Sequence, residues 1–114
     1  MYFQIEQDPK TISGYLVRLL NNDHRILLNS EPFSNKTDCL MCIRKAKQAA
    51  VDKDNFIVWD IEGYRFNLFY GTGLLVGAVK YKSAGERDAA VNLCRLAILE
   101  AEVVDKAREL LQAA

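Results

Sequence analysis

Alternating apolar and polar residues predict three strands in the first part of the chain. The segment Tyr2–Gln7 alternates, and Asp8-Pro9 then predicts a turn, because proline fixes its own φ and restrains the preceding residue. A second alternating run begins at Gly14, and a third covers residues 26–30. The residues between them, 21–24, are Asn-Asn-Asp-His, which tolerate the left-handed backbone of a tight turn.

The segment after the third strand predicts a helix. Ser34 and Asn35 carry side chains that can accept hydrogen bonds from the free amides of a helix start. Asp38 stands three residues after Asn35, as an acidic residue does in a capping box. The helix is predicted to run to about Val51, so the first unit has three strands followed by one helix.

The same order of features recurs about fifty residues later, which is typical of a duplicated supersecondary unit. Phe56-Ile-Val matches Phe3-Gln-Ile, and Gly63-Tyr matches Gly14-Tyr. We therefore predict a single domain, 1–114, made of two repeats, 2–51 and 55–112.

The paired central strands predict which residues form the core. Side chains two residues apart point to the same face of a strand, so the large apolar residues share one face and the polar residues the other. The predicted inward pairs are Tyr15/Tyr64, Val17/Phe66 and Leu19/Leu68, and the predicted outward pair is Arg18/Asn67.

A second helix is predicted to begin after residues 83–85 and to continue to the C-terminus, because no helix breaker follows. It covers about 27 residues, or about 40 Å at 1.5 Å per residue, which is longer than one small sheet can cover. Beyond Glu100 its apolar residues recur at helical spacing. These residues are Val103, Val104, Ala107, Leu110 and Leu111. We expect them to contact the first helix, a second copy of the chain or another protein.

Composition and charge disfavour several classes of protein. Fifteen basic and fifteen acidic residues cancel, so no overall field favours nucleic acid or an anionic membrane. The start of the chain lacks the basic and apolar regions of a signal peptide, and no run approaches the roughly 20 apolar residues of a membrane span. Three cysteines leave at least one unpaired, which is typical of a reducing compartment. We predict a cytoplasmic protein.

Three features of the first repeat resemble the YegP-like family of small bacterial proteins of unknown function, also known as DUF1508 or UPF0339. They are a Phe-x-Ile strand at Phe3, an Asn-x-x-x-Ile turn at Asn22, and the Ser-Glu-x-Phe-Ser-x-Lys run over residues 30–36 that leads into the helix. The second repeat has lost the Ser-Glu and Ser-Lys elements, and the segment beyond Glu100 departs from the family pattern.

The resemblance implies an α+β fold. Tandem β-β-β-α repeats would form one antiparallel sheet of about six strands, with two helices packed on one face. The resemblance implies no established activity, and therefore no catalytic residue, metal or cofactor.

Cys39 and Cys42 form the sharpest local motif. A Cys-x-x-Cys pair near a helix start can lower the pKa of a thiol and support redox chemistry. Here the pair follows an antiparallel meander, and the repeat aligns Ala89 with Cys39 and Asn92 with Cys42. That alignment favours a core position for the first cysteine. A thiol redox protein stays as the second alternative for function.

Other catalytic or metal-binding patterns are weak. A zinc site would require Cys39, Cys42, Cys94 and His24 to converge, yet His24 lies in a predicted turn. His24 is also the only histidine that could serve as a base beside a nucleophile. Gly71 and Gly73 precede a strand rather than a helix, so they do not form a phosphate loop. We predict that the protein is not an enzyme.

The sheet face without helices is the remaining candidate surface. Its predicted residues are Leu16, Arg18, Trp59, Arg65, Asn67 and Phe69. Arginine and aromatic side chains on a sheet can stack bases or grip a peptide, although zero net charge disfavours phosphate binding. The primary hypothesis is a non-enzymatic interaction module that binds a partner protein or self-associates through the C-terminal helix. The alternative is weak binding of single-stranded nucleic acid through the open face.

Overall fold

The computed structural model of the protein describes residues 1–11 and 13–107. In these residues seven strands and two helices follow the order β-β-β-α-β-β-β-α-β. The strands are β1 (Tyr2–Gln7), β2 (Tyr15–Leu20), β3 (Ile26–Asn29), β4 (Phe56–Trp59), β5 (Arg65–Phe69), β6 (Leu74–Gly77) and β7 (Glu102–Asp105). The helices are α1 (Lys36–Ala49) and α2 (Ala84–Ala97). A short 3₁₀ turn, Lys53–Asn55, leads into β4, and another, Ile98–Glu100, follows α2.

The strands form one sheet in the order β4-β5-β6-β3-β2-β1-β7. All neighbouring strands are antiparallel except β1 and β7, which are parallel. The predicted α+β fold is therefore confirmed. The expected sheet of six antiparallel strands is corrected to a mixed sheet of seven, because β7 adds to the outer edge of β1.

The two three-stranded halves of the sheet meet where β3 pairs with β6, through Leu28 opposite Gly77 and Asn29 opposite Val76. A side chain cannot be accommodated at Gly77. A Cβ atom there would lie 2.2 Å from the carbonyl oxygen of Phe66 on the neighbouring strand. The close approach of β5 and β6 beside this seam thus requires glycine.

Both helices pack on one face of the sheet. Val17, Leu19, Phe66 and Leu68 are buried as predicted, while Tyr15 and Tyr64 are half-buried. The helix residues buried against them include Cys39, Cys42, Ile43 and Ala46 from α1, and Arg87, Val91 and Cys94 from α2. Apolar burial of this extent is the main stabilising contribution to such a fold.

Side-chain caps set the start of each helix. The Asn35 side chain accepts a hydrogen bond from the Asp38 N–H at 2.8 Å, as the sequence predicts for the first helix. Ser83 Oγ accepts from the Glu86 N–H at 3.1 Å in the same way. Both helices contain 14 residues.

The second helix is shorter than predicted. It ends at Ala97, and the segment that should have continued it forms β7. This segment forms a strand because the outer edge of β1 has backbone groups that can pair with it. The carbonyl oxygen of Ile5, for example, accepts a 2.8 Å hydrogen bond from the Lys106 N–H. The β-branched pair Val103-Val104 also favours an extended backbone.

The expected C-terminal stripe is therefore not helical over its described part. Val103 and Val104 lie in β7, where adjacent side chains point to opposite faces, and Ala107 follows the strand. Leu110 and Leu111 lie outside the described residues. Contact of a partner with these residues stays a prediction, while their presentation on one helix face is wrong for Val103 and Val104.

Candidate functional site

The strand register places the predicted open-face residues on the side of the sheet opposite the helices. Arg18 alternates with the buried Val17 and Leu19 in β2. Arg65, Asn67 and Phe69 alternate with the buried residues of β5, and Trp59 lies opposite Arg65. These residues occupy two regions, because Arg18 belongs to the first half of the sheet and the others to the second.

The first half of the open face is polar and internally paired. Arg18 Nε lies 2.8 Å from Glu6 Oε1, and Gln4 donates to Glu6 Oε2 at 2.7 Å. The Arg18–Glu6 contact is an ion pair without a linear hydrogen bond, since the Arg18 Nε has no well-aligned acceptor. The carboxylate of Glu6 thus neutralises the charge of Arg18 in the ligand-free protein, which disfavours phosphate binding at this position.

The second half of the open face is apolar. Ile57, Phe69 and Val76 are each more than two-fifths exposed, and Leu74 beside them is half-buried. Asn67 is engaged inside the sheet, because its Oδ1 accepts a hydrogen bond from the Gly77 N–H at 2.8 Å. The surface available to a partner in this half is therefore mainly aliphatic and aromatic, and it also carries the partly exposed Arg65.

The outer edge of β4 carries unpaired backbone groups. Tyr64 and Tyr81 exchange two backbone hydrogen bonds, at 3.3 and 2.8 Å, so the peptide groups of Tyr64 face the side of β5 on which β6 and the residues after it lie. Alternation along β5 turns the groups of Arg65 and Asn67 towards β4, where they meet Trp59 and Ile57. The N–H and C=O of Val58, which lies between those two, consequently point away from the sheet. The Phe56 N–H is already bonded to Lys53 O, so we call the outward N–H and C=O of Val58 and the C=O of Phe56 the β4 edge.

The equivalent edge of β1 is covered. Tyr15 and Phe33 exchange backbone hydrogen bonds at 2.8 Å, and the same alternation turns the groups of Ile5 outward. There the Lys106 N–H donates to Ile5 O, and β7 lies along the strand.

The strand register identifies the matching positions. Ile5 lies opposite Val17, and Val58 lies opposite Phe66. The two strands thus match in register, except that the Phe56 N–H is bonded to Lys53 O, and no described strand covers β4.

Matching the two helices by their capping residues corrects the sequence alignment. Asn35 and Ser83 are the N-caps, so Arg87 occupies the position of Cys39, and Val91 that of Ile43. All four of these helix residues are buried. The alignment of Ala89 with Cys39 and of Asn92 with Cys42 was wrong by two residues, because it followed the aspartates rather than the caps.

A cleft of about 410 Å³ lies between the β4 edge and α2, and we call it the Arg87 cleft. It is lined by Lys53, Asp54, Phe56, Val58, Arg87, Asp88, Val91 and Asn92. Sequence reasoning did not single out Arg87, because arginine is mostly exposed in folded proteins. The matched capping residues would have placed it beside β4.

Arg87 is a buried charge at the wall of this cleft, with only 9% of its surface exposed. Its Nη1 donates to Trp59 O at 3.4 Å, its Nε pairs with Asp88 Oδ1 at 3.1 Å, and its guanidinium carbon lies 5.7 Å from the Tyr64 ring centroid. The Asp88 carboxylate is mostly exposed, so it is a weak partner. A buried guanidinium with free donors favours an anionic ligand.

The thiols do not have the properties of a redox site. All three cysteines are free and buried. Burial raises the pKa of Cys39 and of Cys42 to about 11, and that of Cys94 to about 12. They are therefore protonated at neutral pH, and the thiol rather than the thiolate predominates.

His24 is held at the β2–β3 turn, where its Nδ1 lies 2.8 Å from the Tyr2 hydroxyl. Among residues 1–11 and 13–107, no cluster of three or more histidine, cysteine, aspartate or glutamate side chains could bind a metal ion. In the same part of the chain, no helix combines the length and apolar character needed to cross a membrane.

Comparison with known proteins identifies the fold and no activity. No protein-family model and no curated protein matches the chain. Its structure is similar to the solution NMR structure of YegP, a protein of unknown function from E. coli, with a TM-score of 0.80 and 14% identity over 95% of this chain and 94% of that one. A UPF0339 protein from Shewanella oneidensis gives a TM-score of 0.80 and 14% identity, over 99% and 97% of the two chains. The YegP-like fold implied by the sequence resemblance is thus confirmed.

Proposed function

We propose that this protein is a non-enzymatic interaction module that binds an extended segment of a partner protein as an added strand on the β4 edge. The observation that carries the proposal is the contrast between the two outer strands. The edge of β1 is occupied by β7, and the β4 edge, which matches it in register, is free among the described residues.

The composition of β4 supports strand addition. Soluble proteins usually protect an outer strand with charged residues, proline, a bulge or a cover. The sequence of β4 is Phe-Ile-Val-Trp, and Ile57 and Val58 are 46% and 47% exposed. Main-chain hydrogen bonds to an added strand would supply affinity, and pockets for alternate side chains would supply selectivity.

The neighbouring surfaces enlarge the area that a partner could bury. The apolar half of the open face adjoins β4 on one side, through Ile57 and Phe69, and the Arg87 cleft adjoins it on the other. A strand on β4 would contact both, with alternate side chains directed to each face. The partner surface is accordingly assigned to β4 rather than to Val103, Val104 and Ala107.

Selection of peptides from a random library on the intact protein tests the proposal. Selected peptides should shift the backbone NMR signals of β4, and the Val58→Pro variant should not bind them. Proline at this position removes an outward N–H and leaves the β4–β5 ladder intact, because Ile57 and Trp59 make that ladder.

The Val58→Pro variant must first show unchanged circular dichroism and urea unfolding. Val103→Pro serves as the matched control, because it places proline at an exposed position of β7 whose N–H also faces outward, at the opposite edge of the sheet. Peptides that bind Val58→Pro as well as the natural chain, or that shift signals elsewhere, would show that the edge is not the site.

A further inference from the structure

We infer that the segment bound on β4 runs parallel to it and carries an apolar residue followed, two positions later, by an acidic residue whose carboxylate pairs with Arg87. This inference rests on the proposed function and adds the direction and the chemistry of the ligand. Two observations support it: the way β7 pairs with β1, and the position of the Arg87 cleft beside β4.

The β1–β7 pair supplies the template. β7 runs parallel to β1 with Val103 opposite Phe3 and Asp105 opposite Ile5. Both side chains share the helix-covered face with their partners, because directly paired residues lie on the same face of a sheet. The segment thus has the pattern apolar, any residue, acidic.

The acidic residue of the template contacts α1. Asp105 Oδ2 lies 3.0 Å from Lys36 Nζ, in the first turn of α1. Asp105 is also close enough to Cys39 to contribute to the raised pKa of that thiol. A carboxylate in this position of an added strand therefore lies near the residue that occupies the Cys39 position.

The corresponding residue beside β4 is Arg87. Phe56 and Val58 take the positions of Phe3 and Ile5, and Ala84 takes the position of Lys36. The basic residue of α2 thus stands at the position of Cys39 rather than at that of Lys36, about one helical turn further along the helix. A strand bound as β7 is bound would place its apolar side chain beside Phe56 and its carboxylate beside Arg87.

The charge of the cleft wall fits this ligand. Arg87 is nine-tenths buried, and its contacts to Trp59 O and Asp88 use two of its five N–H donors. Charge-assisted hydrogen bonds between guanidinium and carboxylate are short and directional, so the remaining donors can discriminate an acid from its amide. Lys53 and Asp54 line the same cleft and offset each other, so the recognition of an acid depends on the buried Arg87 rather than on the net charge of the cleft.

A partner protein is favoured over the C-terminal strand of a second copy. In its own chain β7 is held by the Lys36–Asp105 ion pair and by Lys47 Nζ, which donates to Ala101 O at 2.7 Å. Releasing β7 would break these contacts and expose β1, whereas a separate segment needs no such release.

The test uses the intact protein and a synthetic peptide, acetyl-Glu-Val-Val-Asp-Lys-Ala-amide, which copies residues 102–107. Binding is measured by NMR titration and compared with that of the same peptide with Asp replaced by Asn. We expect the Asn peptide to bind at least about tenfold more weakly, since a hydrogen bond to a charged group is lost. In Arg87→Gln the two peptides should bind equally, which a double-mutant cycle measures.

A spin label on the peptide N-terminus tests the direction. Parallel binding should broaden the signals of Asn55 and Phe56 more than those of Trp59 and Asp60, and the reverse pattern would overturn the inference. Should Arg87→Gln fail to fold, the comparison of the two peptides on the natural chain still decides the role of the acid.

The outcomes separate the two proposals. Equal binding of the Asp and Asn peptides at β4 would overturn the acidic pattern and leave strand addition standing. Failure of these peptides and of every library peptide to shift β4 signals would overturn both. Concentration-dependent dimerisation that the peptide reverses would identify a second copy as the occupant and overturn the assignment to a partner protein.

Discussion

The strands β1 and β4 are the outer strands of the two three-stranded halves, and their residues match in register. They differ in that β7 pairs with β1, whereas no described strand pairs with the outer side of β4. The carbonyl of Ile5 accepts a hydrogen bond from Lys106, the residue after β7, whereas the outward groups of Val58 meet no described strand. The helix behind each edge also differs, with the neutral Cys39 behind β1 and the charged Arg87 behind β4.

The difference arises from what the chain does after each helix. After α1 only residues 50–55 precede β4, and three of them form a 3₁₀ turn, so the chain has no length for another strand. After α2 the chain is free to continue, and it returns along β1. Connectivity therefore gives two similar local units different edges within the described residues, one covered by β7 and one without a covering strand.

The largest expected effect is at Gly77, in the β3–β6 pair where the two halves of the sheet meet. Gly77→Ala should lower the free energy of unfolding by about 3 kcal/mol, because its Cβ would overlap the carbonyl oxygen of Phe66. Urea denaturation measures this. Gly85→Ala, in the first turn of α2 and without close contacts, should be neutral or slightly stabilising. A cost below about 1 kcal/mol at Gly77 would mean that the halves move apart readily.

The next effect tests the cover on β1. The N–H of Lys106 faces β1, so by alternation the N–H of Val104 does as well, while that of Val103 faces outward. Val104→Pro should therefore destabilise the protein by about 2 kcal/mol, and Val103→Pro by less than about 1 kcal/mol. Equal losses in thermal or urea unfolding would contradict the pairing of β7 with β1.

A smaller effect contrasts the two halves of the open face. Asn67→Ala should cost about 1.5 kcal/mol, because the partly buried Gly77 N–H loses its acceptor. Arg18→Ala, its counterpart in the first half, should cost less than about 1 kcal/mol, since it breaks an ion pair whose side chains are 22% and 24% exposed. Chemical denaturation of both variants decides the order, and the opposite order would contradict this account.

The smallest expected effect is a pH dependence of stability. It comes from a buried cysteine of α2 that α1 lacks at the matching position. Cys94 in α2 matches Ala46 in α1, and burial raises the pKa of the Cys94 thiol from 9.0 to about 12. Above pH 9 the unfolded chain loses this proton first, so the contribution of the thiol to stability falls as pH rises towards 12.

Between pH 9 and pH 10 the natural chain should therefore lose about 1 kcal/mol more than Cys94→Ala. Urea unfolding of both proteins at the two pH values measures the difference, and parallel losses would mean that the thiol is not buried in its neutral form.

The local elements could be predicted from sequence because each has its own signal. Alternation in Tyr2–Gln7, the Asn35 cap and the Gly71-Gly73 turn depend on neighbouring residues alone. The core residues Val17, Leu19, Phe66 and Leu68 followed from strand periodicity, which fixes the face of each side chain.

The errors concern residues whose state depends on distant partners. Val103 and Val104 fit a helical stripe as well as they fit a strand, and only the free edge of β1 selects the strand. Arg87 was overlooked for the same reason, since its burial is caused by Trp59 and Tyr64, which lie far from it in the chain.

By itself, the sequence determined the six strands of the two meanders, both helix starts and the buried face, because period and capping are local physical properties. The tertiary structure alone decided that the chain after α2 becomes a strand, that β1 is covered while no described strand covers β4, and that Arg87 lines a cleft. Those features depend on which backbone groups remain unpaired once the sheet has formed, and no local pattern contains that information.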